Sequence, residues 1–133
     1  MAGNEELIAQ AVERGKAFTE EVLASDELTS PEEISAQLDM TLEEVTAATT
    51  SHVLLALGPM ERRRYPKWQA IHRRPIPKLQ EIFLWLDEEM TVFLFLREPL
   101  PLLGNRSPIE AIAAGEIDHV VSIAESIRMG GYL

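Results

Sequence analysis

The chain has no cysteine. That excludes disulfides, thiolate metal sites and cysteine nucleophiles. No apolar run approaches the length of a membrane span. The start, Met1-Ala2-Gly3-Asn4-Glu5-Glu6, is acidic rather than the basic start of a secretory leader. A cytoplasmic location is therefore expected. The chain also has no glycine-rich phosphate loop, no His-Glu metal helix and no nucleophile elbow. Acid pairs sit mainly at helix starts, where the helix dipole accounts for them. No catalytic residue, metal or cofactor is expected, and the chain reads as a non-enzyme. His72 or His119 in a closed pocket with a carboxylate would argue otherwise.

What is present fits one domain, or one small domain with an appendage: 133 residues, 46% of them hydrophobic. The net charge of −10 is unevenly spread. Residues 1–60 hold 12 acids and 2 bases, residues 61–80 hold 7 bases and 1 acid, and residues 81–133 hold 9 acids and 3 bases. The basic island is either a solvated strip paired with the protein's own acids or a patch for phosphate or an acidic partner.

Periodicity predicts a helix from Asn4 to about Ala24, with a break near Gly15 open. It would cover the core or pair with a second copy. Residues 29–57 have the layout of a helix-turn-helix. Ser30-Pro31-Glu32-Glu33 and Thr41-Leu42-Glu43-Glu44 read as capping boxes. Asp39 falls where a left-handed turn is needed. Ile34, Ala36, Leu38, Leu42 and Val45 are the expected inward residues. The second helix would expose Glu43, Glu44, Thr46, Thr49 and Thr50, none of them a base. Two carboxylates oppose a polyanion. Arg62, Arg63, Arg64, Arg73 and Arg74 are the candidate phosphate contacts should DNA be bound.

Residues 61–74 read as extended, with at most a small hairpin. Tyr65 and Trp68 either anchor this arm to the helices or form an aromatic anchor at an interface. A helix from Ile76 to Trp85 follows, with Leu84 a further inward candidate. Met90, Val92, Phe93, Leu94, Phe95 and Leu96 mark a helix buried on most sides. Gly104-Asn105 is a tight turn, Ser107-Pro108-Ile109-Glu110 a capping box, and Gly115 a helix stop. A last helix runs from Glu116 to about Ile127, and Met129-Gly130-Gly131-Tyr132-Leu133 is a short tail.

The string Leu103-Gly104-Asn105-Arg106-Ser107-Pro108-Ile109-Glu110-Ala111-Ile112-Ala113-Ala114-Gly115 resembles the signature of the Xre/MbcA/ParS toxin-binding domain of bacterial antitoxins. Asn105 stands where that family usually has glycine. Arg64-Tyr65-Pro66-Lys67-Trp68-Gln69 and Pro75-Ile76-Pro77-Lys78-Leu79 resemble two further family segments. The resemblance spans roughly residues 62–125. It implies a mostly α fold: a helix-turn-helix-like region over 1–60 and a small helical toxin-binding domain over 61–133, with at most one short β-hairpin. It implies an antitoxin of a type II toxin–antitoxin module. The partner would be a RES-domain toxin that degrades NAD, with a homodimer inside the complex and operator DNA as a second partner. Tyr65, Trp68, Gly104, Asn105, Arg106, Ser107, Gly130, Gly131, Tyr132 and Leu133 are the candidate toxin contacts. Arg106 would bond carbonyls of the preceding loop or touch the toxin. The tail would enter the toxin's NAD cleft or be an ordinary frayed end. A DNA-binding regulator acting without a toxin, and a structural dimer that keeps only the fold, remain as alternatives.

Overall fold

The computed structural model describes residues 3–130. The described residues form seven α-helices, three single-turn 3-10 helices and one two-stranded antiparallel pair. The fold is mostly helical, as the residue pattern predicts. None of the described helices is long and apolar enough to cross a membrane.

Helix α1, Gly3–Leu23, runs unbroken through Gly15. It meets the body at its C-terminal end, where Val22 is buried and Leu23 packs against the main core. Gly58 makes that seat possible. It holds φ +90°, and a Cβ there would lie 3.1 Å from the Arg62 carbonyl and 3.2 Å from the Leu23 side chain.

Helices α2, Pro31–Leu38, and α3, Leu42–Thr50, pack on each other as a pair of short helices joined by a tight turn. Ser30 caps α2 by accepting from the Glu33 N–H. Asp39 takes the left-handed turn at φ 54°. Thr41 and Glu44 complete a reciprocal capping box. Two inward assignments need correction. Ala36 is exposed, because Ile34 and Leu38, four residues apart, take the inner face and Ala36 falls on the far side. Leu42 is exposed at the first position of α3, whose inner face begins at Val45 and continues with Ala48 and Thr49. Thr49, expected outside, is buried.

Strands β1, Leu28–Thr29, and β2, Tyr65–Pro66, pair as Leu28 with Pro66 and Thr29 with Tyr65. The partner of the 61–74 arm thus comes from far upstream. A separate tight turn closes Ile71 on Arg74, with His72 at φ 51° and Arg73 at φ 62°. Both central residues are left-handed, the requirement of a two-residue hairpin turn.

Helix α4, Leu79–Leu86, begins three residues later than the periodicity predicts. Pro77 holds Ile76 out of the helical region, and Lys78 sits at φ 57°. Ile76 is nonetheless buried. Leu84 is exposed, because Ile82, Phe83 and Leu86 define the inner face. Helices α5, Glu89–Arg97, α6, Pro108–Ala113, and α7, Ile117–Arg128, follow. Helix α4 packs most extensively on α7, and α5 and α6 close the bundle.

The buried apolar side chains form two clusters. A small one holds Ile34, Leu38, Val45, Ala48, Leu54, Ala56 and Tyr65. The main one gathers Val22, Leu28, Leu55 and Leu57 with residues of α4 to α7. Residues 54–57 feed both in strict alternation: Leu54 and Ala56 to one, Leu55 and Leu57 to the other. That is the period of extended chain. Gln69, fully buried, behaves there as a strand partner. Its side-chain oxygen accepts from the Leu55 N–H and its amide donates to the Leu55 carbonyl, both at 2.8 Å.

Candidate functional site

The turn before α6 is built by local rules. Pro101–Leu103 makes one tight helical turn, and Gly104 and Asn105 follow at φ 67° and 64°. The Leu100 N–H donates to the Arg106 carbonyl at 3.0 Å, and the Asn105 N–H donates back to Leu100 at 2.9 Å. The Ser107 hydroxyl accepts from the Glu110 N–H, and the Glu110 carboxylate accepts from the Ser107 N–H, which is the reciprocal box. Gly104 and Asn105 are exposed; Ser107 is buried beneath them.

Arg106 braces the loop. Its Nε donates to the Leu103 carbonyl at 2.9 Å, so the carbonyl-bonding role is realised. Its two terminal nitrogens grip Glu116 at 2.7 and 3.0 Å in a bidentate pair. The hydrogen bond from Arg106 holds the Glu116 carboxyl below its ordinary range, and the same bond raises the guanidinium. Glu110 is lowered by the Ser107 backbone N–H and hydroxyl. The result is an exposed turn held in shape by its own hydrogen bonds.

The aromatic pair is structural in large part. Tyr65 is 3% exposed, and its hydroxyl lies 2.8 Å from the Thr49 hydroxyl. As a surface anchor Tyr65 is corrected: strand pairing with Thr29 turns its ring into the small cluster. Trp68 is half-buried, stacked on Phe93 with centroids 5.7 Å apart, and donates to Glu27 at 3.1 Å. Arg97 closes this corner, 3.1 Å from Glu27 and over the Phe93 ring.

The basic island divides in two. Arg63 is an internal strut, 2.8 Å from both Glu89 and the Gly58 carbonyl. Arg64 is half-buried and donates to the Leu28 carbonyl at 3.2 Å. Neither is a free phosphate contact in this arrangement. Arg62, Arg73 and Arg74 are exposed, the last two at the tight turn.

A cleft of about 770 Å³ that the sequence does not announce runs along α3. Thr46, Thr50 and His52 meet Asp87, Glu88 and Glu89 across it. His52, at φ 62°, stacks on Phe83 with centroids 4.1 Å apart. Its only sequence signal is a histidine just past a helix end. The cleft sets the carboxylates of residues 87–89 beside α3. His72 and His119 are both exposed. Among the described residues no group of three or more His, Asp or Glu could hold a metal ion. Of the tail candidates, Gly130 is left-handed at φ 83°. Gly131, Tyr132 and Leu133 lie outside the described residues.

No protein family and no curated protein matches the chain. In fold it is similar to a solved structure, the NMR structure of Rv2175c, with a TM-score of 0.65 and 17% sequence identity. The match covers 77% of this chain and 82% of that one. At that identity the likeness is one of fold alone.

Proposed function

We propose that this chain is a cytoplasmic, non-catalytic antitoxin that binds and silences a RES-type, NAD-degrading toxin. The observation that carries the reading is the turn at residues 100–116. Within the residues that resemble the antitoxin signature, Gly104 and Asn105, both left-handed, form an exposed, hydrogen-bonded knob beside Arg106, which is clamped on Glu116. A pre-ordered knob binds with little loss of conformational freedom. Gly104, Asn105, the outer edge of Arg106 and the half-buried Trp68 are the contacts assigned to the toxin. Tyr65 and Ser107 act from beneath.

The test is co-expression with the adjacent open reading frame, scored for rescue of growth. Rescue by wild type and loss of rescue by Arg106→Ala, with the fold retained, supports the reading. An adjacent frame that is harmless alone, or that never co-purifies with this chain, removes it.

A second reading is an Xre-type repressor of its own operon. The α2–α3 pair and the exposed cations Arg62, Arg73 and Arg74 favour it. Glu43 and Glu44 on α3 and the acid-rimmed cleft stand against it. A salt-dependent shift of the upstream DNA distinguishes the two.

A further inference from the structure

Helix α1 leaves the body after its last turn. Every described side chain from Glu6 to Phe18 is exposed. Leu7 is 61% exposed, Ile8 65% and Phe18 41%. At 3.6 residues per turn, Leu7, Ile8, Ala11, Gly15 and Phe18 fall in one stripe about 100° wide. Val22 lies at the centre of that stripe, and it is the residue that plugs into the body. The uncovered stripe is thus the outward continuation of the helix's own buried face. Glu6, Glu13 and Glu20, spaced by seven residues, lie on the far side. A lone helical segment of this length is marginal in water, so its apolar face calls for a cover.

The size of the face limits what that cover is. Sixteen residues of helix span about 24 Å and present a strip about 10 Å wide. One helix fills such a strip. A pair of helices along so short and narrow a strip falls below the ~1,600 Å² of a standard interface and in the class of weak, reversible ones. The profile of the strip limits the cover further. It is bulky at Ile8, small at Ala11 and Gly15, and bulky again at Phe18. An antiparallel copy matches that profile: Ile8 of one chain meets Phe18 of the other, and Ala11 meets Gly15, where the backbones approach closely. The outer glutamates then point away from the contact, which spares two acidic chains mutual repulsion.

We infer that α1 is a self-association surface on which two copies of this chain pair through antiparallel first helices. The inference rests on the exposed face of α1 and not on the homodimer that the antitoxin resemblance implies. It predicts a reversible dimer with a dissociation constant in the micromolar range, about 1–100 µM.

Sedimentation equilibrium of the full chain across and above that range tests it. Wild type should pass from monomer to dimer. Ile8→Glu, at an exposed position, should keep the helical spectrum and raise the dissociation constant at least tenfold. Because the chain has no cysteine, engineered thiols report geometry cleanly. A mixture of the Ile8→Cys and Phe18→Cys variants should oxidise to the mixed dimer, while Ile8→Cys alone should not crosslink. A wild type that stays monomeric above the range overturns the inference. So does an Ile8→Glu variant that dimerises as well as wild type. Efficient crosslinking of Ile8→Cys with itself rejects the antiparallel pairing.

Discussion

Replacing Gln69 tests how the two clusters are tied together. Gln69→Leu keeps the bulk of the side chain and removes both hydrogen bonds to Leu55. The Leu55 N–H and carbonyl are then buried without partners, at ~1–3 kcal/mol each. The expected loss is ~2–6 kcal/mol. For 133 residues that lowers the thermal midpoint by roughly 6–24 °C. Gln69→Glu sharpens the test. A protonated carboxyl can still donate to the Leu55 carbonyl, whereas an ionised one sets a buried negative charge against that oxygen. Its folded pKa should therefore lie above the ordinary value of about 4.3. For a raised carboxyl, stability is fully present below the unfolded value and is lost as the pH rises through the folded one. Relative to wild type, Gln69→Glu should be least perturbed in acid and most perturbed at neutral pH. Denaturant melts of the three proteins from acid to neutral pH decide the matter. If Gln69→Leu unfolds within about 0.5 kcal/mol of wild type, Leu55 does not depend on Gln69 and the reasoning is wrong.

Glu116 and Glu110 both sit below the ordinary carboxylate value of 4.5 in the folded chain. The stability they contribute is present above that value and lost as the pH falls through their folded values, so Glu116→Gln should flatten the acid limb of a stability–pH curve. Of the arginines, Arg63→Ala should lower the melting temperature by stripping partners from Glu89 and Gly58, while Arg73→Ala with Arg74→Ala should leave it unchanged. Should operator DNA bind, replacing Arg62, Arg73 or Arg74 by Ala should flatten the slope of log affinity on log salt by about 0.9 for each phosphate left without its cation. On the proposed antitoxin reading, deleting residues 130–133 should leave folding and toxin binding intact but weaken inhibition of NAD consumption at a saturating concentration of this chain. Equal inhibition would place the blockade in the body of the domain.

The features legible in the sequence are those set by neighbours a few positions apart. The Ser107–Glu110 and Thr41–Glu44 boxes, the left-handed Asp39 and the start of α6 follow from residues three or four apart, so no tertiary knowledge is needed. Inward assignments hold where an apolar residue stands at the right angle on a long enough helix, as for Val92, Phe93 and Leu96. They fail at Ala36, Leu42 and Leu84, which fall outside the inner faces set by Ile34 and Leu38, by Val45 and Ala48, and by Ile82, Phe83 and Leu86. The 61–74 arm was the least legible part. Its strand partner lies at residues 28–29, so nothing within the arm says that Tyr65 turns inward. Gln69 looks like any polar residue in a loop until Leu55 is placed beside it. The split of the basic island was hidden for the same reason: Arg63 and Arg73 are chemically identical, and only distant Glu89 tells them apart. For the candidate site, the left-handed Gly104 and the Ser107–Glu110 box are readable from neighbours, whereas the grip of Arg106 on Glu116 is not, and the cleft beside α3 arises from four separate segments.

The alternation at residues 54–57 has a consequence for how the chain can vary. A point substitution there disturbs one cluster. Loss or gain of a single residue rotates every later side chain of the segment to the opposite face, so the small cluster would receive Leu55 and Leu57 while the main one received Leu54 and Ala56. It would also slide the Leu55 backbone past the Gln69 amide. Both clusters would be mispacked at once by an event that changes no side-chain chemistry. These four residues act as a reading frame for the fold, tolerant in spelling and intolerant in length.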